Sequence, residues 1–197
     1  IFPCSEIQVI PIATSQIDGT VVRFGNLAEF FALSAELDHQ HEYSVAWIDC
    51  LAKGSETGRG VFFVGDHARY GTLDVDDRSR VSVPLTPPVS LINNLSLRAF
   101  NSVYWGVHTS QRRPTRSAYA PFFYPLDRIQ HWNRIYGRKG FQQYQCVIPD
   151  LNAEAAMGEL LGAIADAEQG SFLAVLKRCG DIPSPGLLSF PMPGTSL

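Results

Sequence analysis

The sequence contains no CxxC pair, no HExxH arrangement, no GxSxG elbow, no GxGxxG loop and no P-loop lysine. Each absence removes a chemistry. Cys4, Cys50, Cys146 and Cys179 stand far apart, which excludes a local zinc knuckle or redox pair and predicts reduced, buried thiols. His39, His41, His67, His108 and His131 lack the spacing of a metal hydrolase. No serine sits in a strained elbow and no cysteine has a base partner at a recognised spacing, so no self-contained nucleophilic catalysis is legible. The glycines of "GSETGRG", Gly54, Gly58 and Gly60, lack the strand-to-helix setting of a dinucleotide loop and read as a turn.

Long apolar runs are missing too. None approaches the roughly 20 residues that a membrane-spanning helix needs, and no signal-peptide pattern stands near the start, so a cytoplasmic protein is expected. There is no excess of basic residues: 16 Lys and Arg against 19 Asp and Glu give a formal charge of -3, which argues against a nucleic-acid partner. The one basic cluster, Arg112, Arg113 and Arg116, reads as a solvated loop.

What is present describes a globular domain. With 197 residues, 45% hydrophobic and 18% charged, the chain can bury one sizeable core. It opens on Ile1 and closes on "SFPMPGTSL" just after a strand-like run at Leu187 and Leu188, as an excised piece of a longer protein would.

Glu6 to Ile12 and Thr20 to Phe24 are rich in β-branched residues, with Asp18-Gly19 as a turn between them, and read as strands. Asn26, with Glu29 three residues on, caps a helix whose Leu27, Phe30, Phe31, Ser34 and Leu37 share a face. Tyr43 to Leu51 and Val61 to Val64 form a strand pair, and Gly65 to about Pro88 an excursion or flap. Ser90 to Val107 has a helical pattern near its start, while its aromatics Phe100, Tyr104 and Trp105 leave the assignment open. Asp127 caps a helix with Ile129, Trp132 and Ile135 inward, ended by a left-handed Gly137. A strand from Phe141 to Ile148, a helix from Asn152 to Glu168 built on Met157, Leu160, Leu161 and Ile164, and a strand in "SFLAVLKRC" complete the chain.

This order predicts an α+β fold: a mainly antiparallel sheet with ferredoxin-like elements, helices packed on one face and the other face free to cover something. No repeat of 20 to 50 residues with matching residues is present, which leaves a relation between the two halves in architecture open. Strand alternation puts Gln143 and Gln145 on one face, opposite Gln142, Tyr144 and Cys146. Leu173, Val175, Lys177 and Cys179 likewise oppose Phe172, Ala174 and Leu176. Amides and an ammonium group beside aromatics suit a sugar or polyol, since they serve hydroxyls while flat walls bury the carbon skeleton. A solvent-facing sheet would carry the same polar alternation.

The stretches "EYSVAWIDC", "GRGVFFVGDHA", "FYPLDRIQHWNRIYGRKGFQQYQCVIP", "SFLAVLKRCG" and "LSFPMPG" together resemble the substrate domain of FAD-linked oxidoreductases related to decaprenylphosphoryl-ribose 2'-oxidase, and more distantly aldonolactone and alditol oxidases. The resemblance runs from about Glu42 to Gly194, and "WNRxYGxxGFxQYQ" is its most specific part. It implies that residues 1–197 are a substrate-binding cap domain, an antiparallel roof over flavin, with the FAD-binding domain of the same polypeptide lying outside this chain. It implies FAD in the full-length protein and none bound to this piece alone.

By motif, Gln143, Gln145 and Lys177 match positions facing the flavin-side pocket, and Trp47, Phe123 and Leu126 match its apolar wall. Tyr124 stands where the family tends to have histidine and Cys179 where it tends to have an aromatic, departures that bear on the substrate. The implied activity is oxidation of a sugar or polyol alcohol by hydride transfer to flavin. The alternatives are an aldonolactone oxidase-like enzyme on a small soluble sugar, and a non-catalytic binding module of the same fold.

Overall fold

The computed structural model describes residues 6–75, 81–183, 186 and 190–197. Its sheet grows from two copies of one topology. In the first, β1 (Gln16–Phe24), α1 (Leu27–Leu37), β2 (Tyr43–Ile48) and β3 (Gly60–His67) follow one another, and β3 lies antiparallel between β1 and β2. Next come β4 (Val81–Ser82), α2 (Asn94–Gly106), β5 (Arg113–Ala118), α3 (Tyr119–Phe123) and β6 (Ile129–Gln130). The second copy is β7 (Val147–Pro149), α4 (Ala153–Asp166), β8 (Ala174–Cys179) and β9 (Gly194–Ser196), with β9 antiparallel between β7 and β8.

Antiparallel pairing of β2 with β8, Trp47 opposite Val175, joins the two units back to back. Among the described residues the sheet order is β5-β1-β3-β2-β8-β9-β7. The shared architecture of the halves is thus two split β-α-β units with the final strand inserted.

Local chemistry sets the helices. The Asn26 side chain accepts from the Glu29 amide while the Glu29 carboxylate accepts from Gly25 N–H, which starts α1. A reciprocal cap between Asn93 and Ser96 starts α2. From α1 Leu27, Phe30 and Leu37, and from α4 Met157 and Leu161, pack on Ala46, Ile48, Phe62, Val64 and Leu176 of the sheet to form the core.

The second face is not left bare as the sequence predicts. Along α2, Tyr104 packs on Trp47 with ring centroids 4.6 Å apart, and Trp105 donates its indole N–H to the Phe24 carbonyl at 2.9 Å. The cause is visible in the strands: Trp47 and Phe63 point away from α1 and α4, and such large apolar groups need cover.

Other expectations change as well. Glu6 to Ile12 forms no strand and exposes Ile7, Val9 and Ile10, because β3 and β5 already occupy both edges of β1. Asp18-Gly19 lies inside β1 and makes no turn. A Cβ on Gly19 would stand 2.2 Å from the Val64 carbonyl oxygen, so glycine serves close approach of β1 to β3.

The helix expected after Asp127 is replaced by two 3-10 turns, Pro125–Arg128 and Trp132–Tyr136, separated by β6. His131 in the left-handed region breaks the run, and Gly137 (φ 71°) ends it as expected. Of the expected strand from Phe141 to Ile148, only the end pairs: Val147 and Ile148 belong to β7, and Cys146 exchanges both backbone hydrogen bonds with Leu197 at 3.1 Å, while 141–145 stay out of the sheet. Leu187, Leu188 and Cys4 lie outside the described residues.

Candidate functional site

Within the sheet, β8 has uneven partners. On one side Ala174–Leu176 pairs with β2, while β9 meets only Lys177–Cys179 on the other. A cavity of about 870 Å³ borders β8, bounded by residues 139–145, by residues 169–175 and Lys177, and by Leu160 and Ile164 of α4. Leu126, Trp132, Tyr136, Cys50, Ser196 and Leu197 complete its wall.

Its apolar surface is a run of rings. Phe141 stacks on Tyr136 at 4.4 Å and lies 5.5 Å from Trp132, and Tyr136 lies 6.0 Å from Phe172. Its polar surface consists of the amides of Gln142, Gln143, Gln145 and Gln169, the hydroxyls of Ser171, Ser196, Tyr136 and Tyr144, and the ammonium groups of Lys139 and Lys177. No carboxylate lines it among the described residues. The cavity is therefore electropositive and rich in groups that can both donate and accept.

Two lining groups stay neutral at ordinary pH. Burial raises the Tyr136 phenol and the Cys50 thiol above their usual values. Cys50 Sγ is further tied to Ser171, as donor to its carbonyl at 3.4 Å and acceptor from its amide at 3.2 Å. A buried, protonated thiol is a poor nucleophile, and Cys50 is buried as the sequence predicts, whereas Cys146 and Cys179 are only half-buried.

The fold brings together four of the positions singled out in the sequence: Gln143, Gln145, Lys177 and Leu126 all line this cavity. Gln145 Nε2 lies 3.4 Å from Ser196 Oγ, so β9 steadies that amide. Since residues 141–146 form no strand, Gln142 and Tyr144 line the same space, and the expected alternation of faces does not apply.

Trp47, Phe123, Tyr124 and Cys179 do not line the cavity. Trp47 is buried beside it, paired across the sheet with the lining residue Val175, its indole donating to the Phe172 carbonyl at 2.8 Å. Phe123 meets Tyr43 edge-on at 4.8 Å in a separate aromatic cluster that includes Phe122 and Tyr124. Cys179 pairs with Gly194 at the far end of β8.

Sequence reading missed Phe141, Lys139, Ser171 and Ser196 as cavity residues, and placed Trp132 on a core helix face. The available signal was the density of rings and amides in "WNRIYGRKGFQQYQ". Elsewhere His41 is held by Asp66 at 2.7 Å, and no group of three or more His, Cys, Asp or Glu suited to a metal occurs among the described residues. Among those residues no helix is long and apolar enough to cross a membrane.

No family model matches the chain. It is 29% identical, over 96% of its length, to decaprenylphosphoryl-beta-D-ribose oxidase of Mycolicibacterium smegmatis, covering 43% of that protein. It is 26% identical, over 98% of its length, to an uncharacterized protein in the mprA 5'region of Streptomyces coelicolor, covering 56% of it. The chain thus spans about half the length of the curated relatives it matches, and its sequence resembles part of an oxidase.

Proposed function

We propose that this chain is the substrate-binding domain of a larger FAD-dependent oxidoreductase that oxidises an alcohol group of a sugar or polyol. One observation carries the reading: in a chain similar to an oxidase over nearly its whole length, two amides and an ammonium group expected at a flavin-side pocket line one aromatic-walled cavity.

The residues suit a neighbour of the flavin ring. The cavity offers donors and acceptors of the kind that meet ring carbonyls and substrate hydroxyls, whereas the glycine-rich stretch 54–60 joins two strands and does not open onto a helix that could cradle a diphosphate. FAD therefore belongs to the partner domain of the same polypeptide, where it would accept the hydride.

This domain's share is binding and orientation. Gln143 and Gln145 hold hydroxyls in one register, Tyr136, Phe141 and Phe172 bury the carbon skeleton and displace water, and Lys177 orients an oxygen and favours negative charge developing on it. The neutral Tyr136 phenol can donate as well as accept beside them.

The test is spectroscopic. The full-length protein is expected to carry flavin absorbance that bleaches with sugars or polyols under anaerobic conditions; a colourless full-length protein would favour the interaction module. Bleaching confined to small sugar lactones would instead mark an aldonolactone oxidase-like enzyme. The 197-residue chain alone is expected neither to retain FAD nor to turn over, and stoichiometric binding in an FAD titration would overturn that.

A further inference from the structure

The most specific motif in the sequence contains an arginine that the proposed chemistry does not use. Arg134 sits in the 3-10 turn Trp132–Tyr136, and its Nη1 donates to the carbonyls of Val83 at 2.9 Å and Pro84 at 2.8 Å. Those carbonyls belong to the excursion that runs from β4 toward α2, about 50 residues earlier in the chain.

Arg134 is one of several ties between the same two segments. Val81 and Ser82 pair with Ile129 and Gln130 as β4 and β6, and Val83 N–H donates to the Gln130 carbonyl at 3.0 Å. Leu91 N–H donates to the Ile135 carbonyl at 2.8 Å. Gly137, at φ 71°, lies so close to Val89 and Ser90 that a Cβ there would come within 2.9 to 3.1 Å of their backbone atoms. Residues 81–91 therefore bracket residues 129–137 from both ends, and Arg134 fastens the middle.

The bracketed turn carries two cavity walls. Trp132 and Tyr136, on either side of Arg134, line the cavity, Tyr136 stacked on Phe141 and Trp132 tilted against it, and Phe141 leads directly into Gln142 to Gln145. A five-residue 3-10 turn has few internal hydrogen bonds with which to hold such rings. The guanidinium, with two bonds to carbonyls of a distant segment, supplies the missing constraint.

We infer that Arg134 is a positioning residue for the cavity: by clamping residues 83 and 84 onto the Trp132–Tyr136 turn it fixes the aromatic wall against which the substrate carbon skeleton packs. The functional half rests on the reading given under Proposed function; the structural half does not. Both bonds leave one nitrogen, and a lysine ammonium keeps the charge and enough donors but sits on a shorter stem without the planar fork, so Arg134→Lys should retain part of what Arg134→Ala loses.

The experiment uses the full-length protein and its Arg134→Ala and Arg134→Lys variants, with thermal melts to confirm folding. Hydrogen exchange read by mass spectrometry is expected to quicken about tenfold or more in residues 81–91 and 129–145 of Arg134→Ala, with α4 and β8 unchanged and Arg134→Lys intermediate. With the alcohol that bleaches the flavin fastest, Arg134→Ala should raise KM about tenfold while kcat changes less than twofold. Unchanged exchange in 129–145 overturns the proposal whether or not any alcohol is oxidised. Faster exchange there with an unaltered KM also overturns it, by separating the clamp from binding. If no alcohol bleaches the flavin, the function proposed above fails while the exchange result still decides the clamp.

Discussion

Trp47 and Phe172 meet through one hydrogen bond, the indole N–H donating to the backbone carbonyl at 2.8 Å, and this bond ties the centre of the sheet to the segment that leads into β8 and lines the cavity. Trp47 lies beside the cavity without lining it. It is 5% exposed, capped by Tyr104, and lies opposite Val175, which lines the cavity. Trp47→Phe keeps most of the packing but strands the Phe172 carbonyl, and should cost about 1 to 3 kcal/mol. Urea unfolding measures it. An unshifted midpoint would mean that water replaces the indole.

A second load is electrostatic. Arg59 donates from Nε and Nη2 to Asp49 Oδ2 at 3.1 and 2.9 Å, and Asn101 Nδ2 donates to Asp49 Oδ1 at 2.8 Å. The Asp49 side chain is 5% exposed and that of Arg59 14%, while the guanidinium also lies over Trp105. Arg59→Met would leave a buried carboxylate without its cation, at a cost of about 3 kcal/mol or more. Double substitution with Asp49→Asn should recover part of that loss in the same unfolding assay.

The sequence made the helical half of this core legible. Asn26 with Glu29, and the three-four spacing of Met157, Leu160, Leu161 and Ile164, are local signals, and both helices stand where those signals place them. Strands depend on partners. Ile7, Val9 and Ile10 have strand propensity but stay unpaired beside a β1 whose two edges are taken by β3 and β5, whereas Gly19 looks like a turn and instead lets two strands touch. The cavity was half legible for the same reason: Gln143, Gln145 and Lys177 were named, but the ring wall required knowing that His131 breaks the helix and turns Trp132 and Tyr136 toward them.

Cys50 gives a pH-dependent prediction. Burial raises its thiol above the ordinary value of 9.0, so the unfolded chain ionises first as pH rises. The unfolded state then binds fewer protons than the native one, and this group's contribution to stability is whole below pH 9.0 and is lost as pH climbs through the folded value. At pH 8, iodoacetamide should modify Cys146 and Cys179, both half-buried, before Cys50, with the difference removed in urea. Rapid native labelling of Cys50, read by mass spectrometry, would mean that the cavity wall opens beside Ser171.

Lys177 and Gln145 should separate in kinetics although both line one cavity. Gln145 offers hydrogen bonds that a bound hydroxyl uses equally before and during reaction, so Gln145→Ala should raise KM roughly fivefold to tenfold, the worth of about one bond, and leave kcat nearly unchanged. Lys177 carries a charge, which matters most when charge develops on the substrate oxygen; Lys177→Met should lower kcat by about 100-fold, with Lys177→Arg in between. Both side chains are exposed, so unfolding midpoints should move by no more than about 0.5 kcal/mol and the kinetic losses would not report misfolding. If Lys177→Met altered KM alone, the ammonium group would be a binding contact, and stabilisation of developing charge would have to come from the proposed FAD-binding domain.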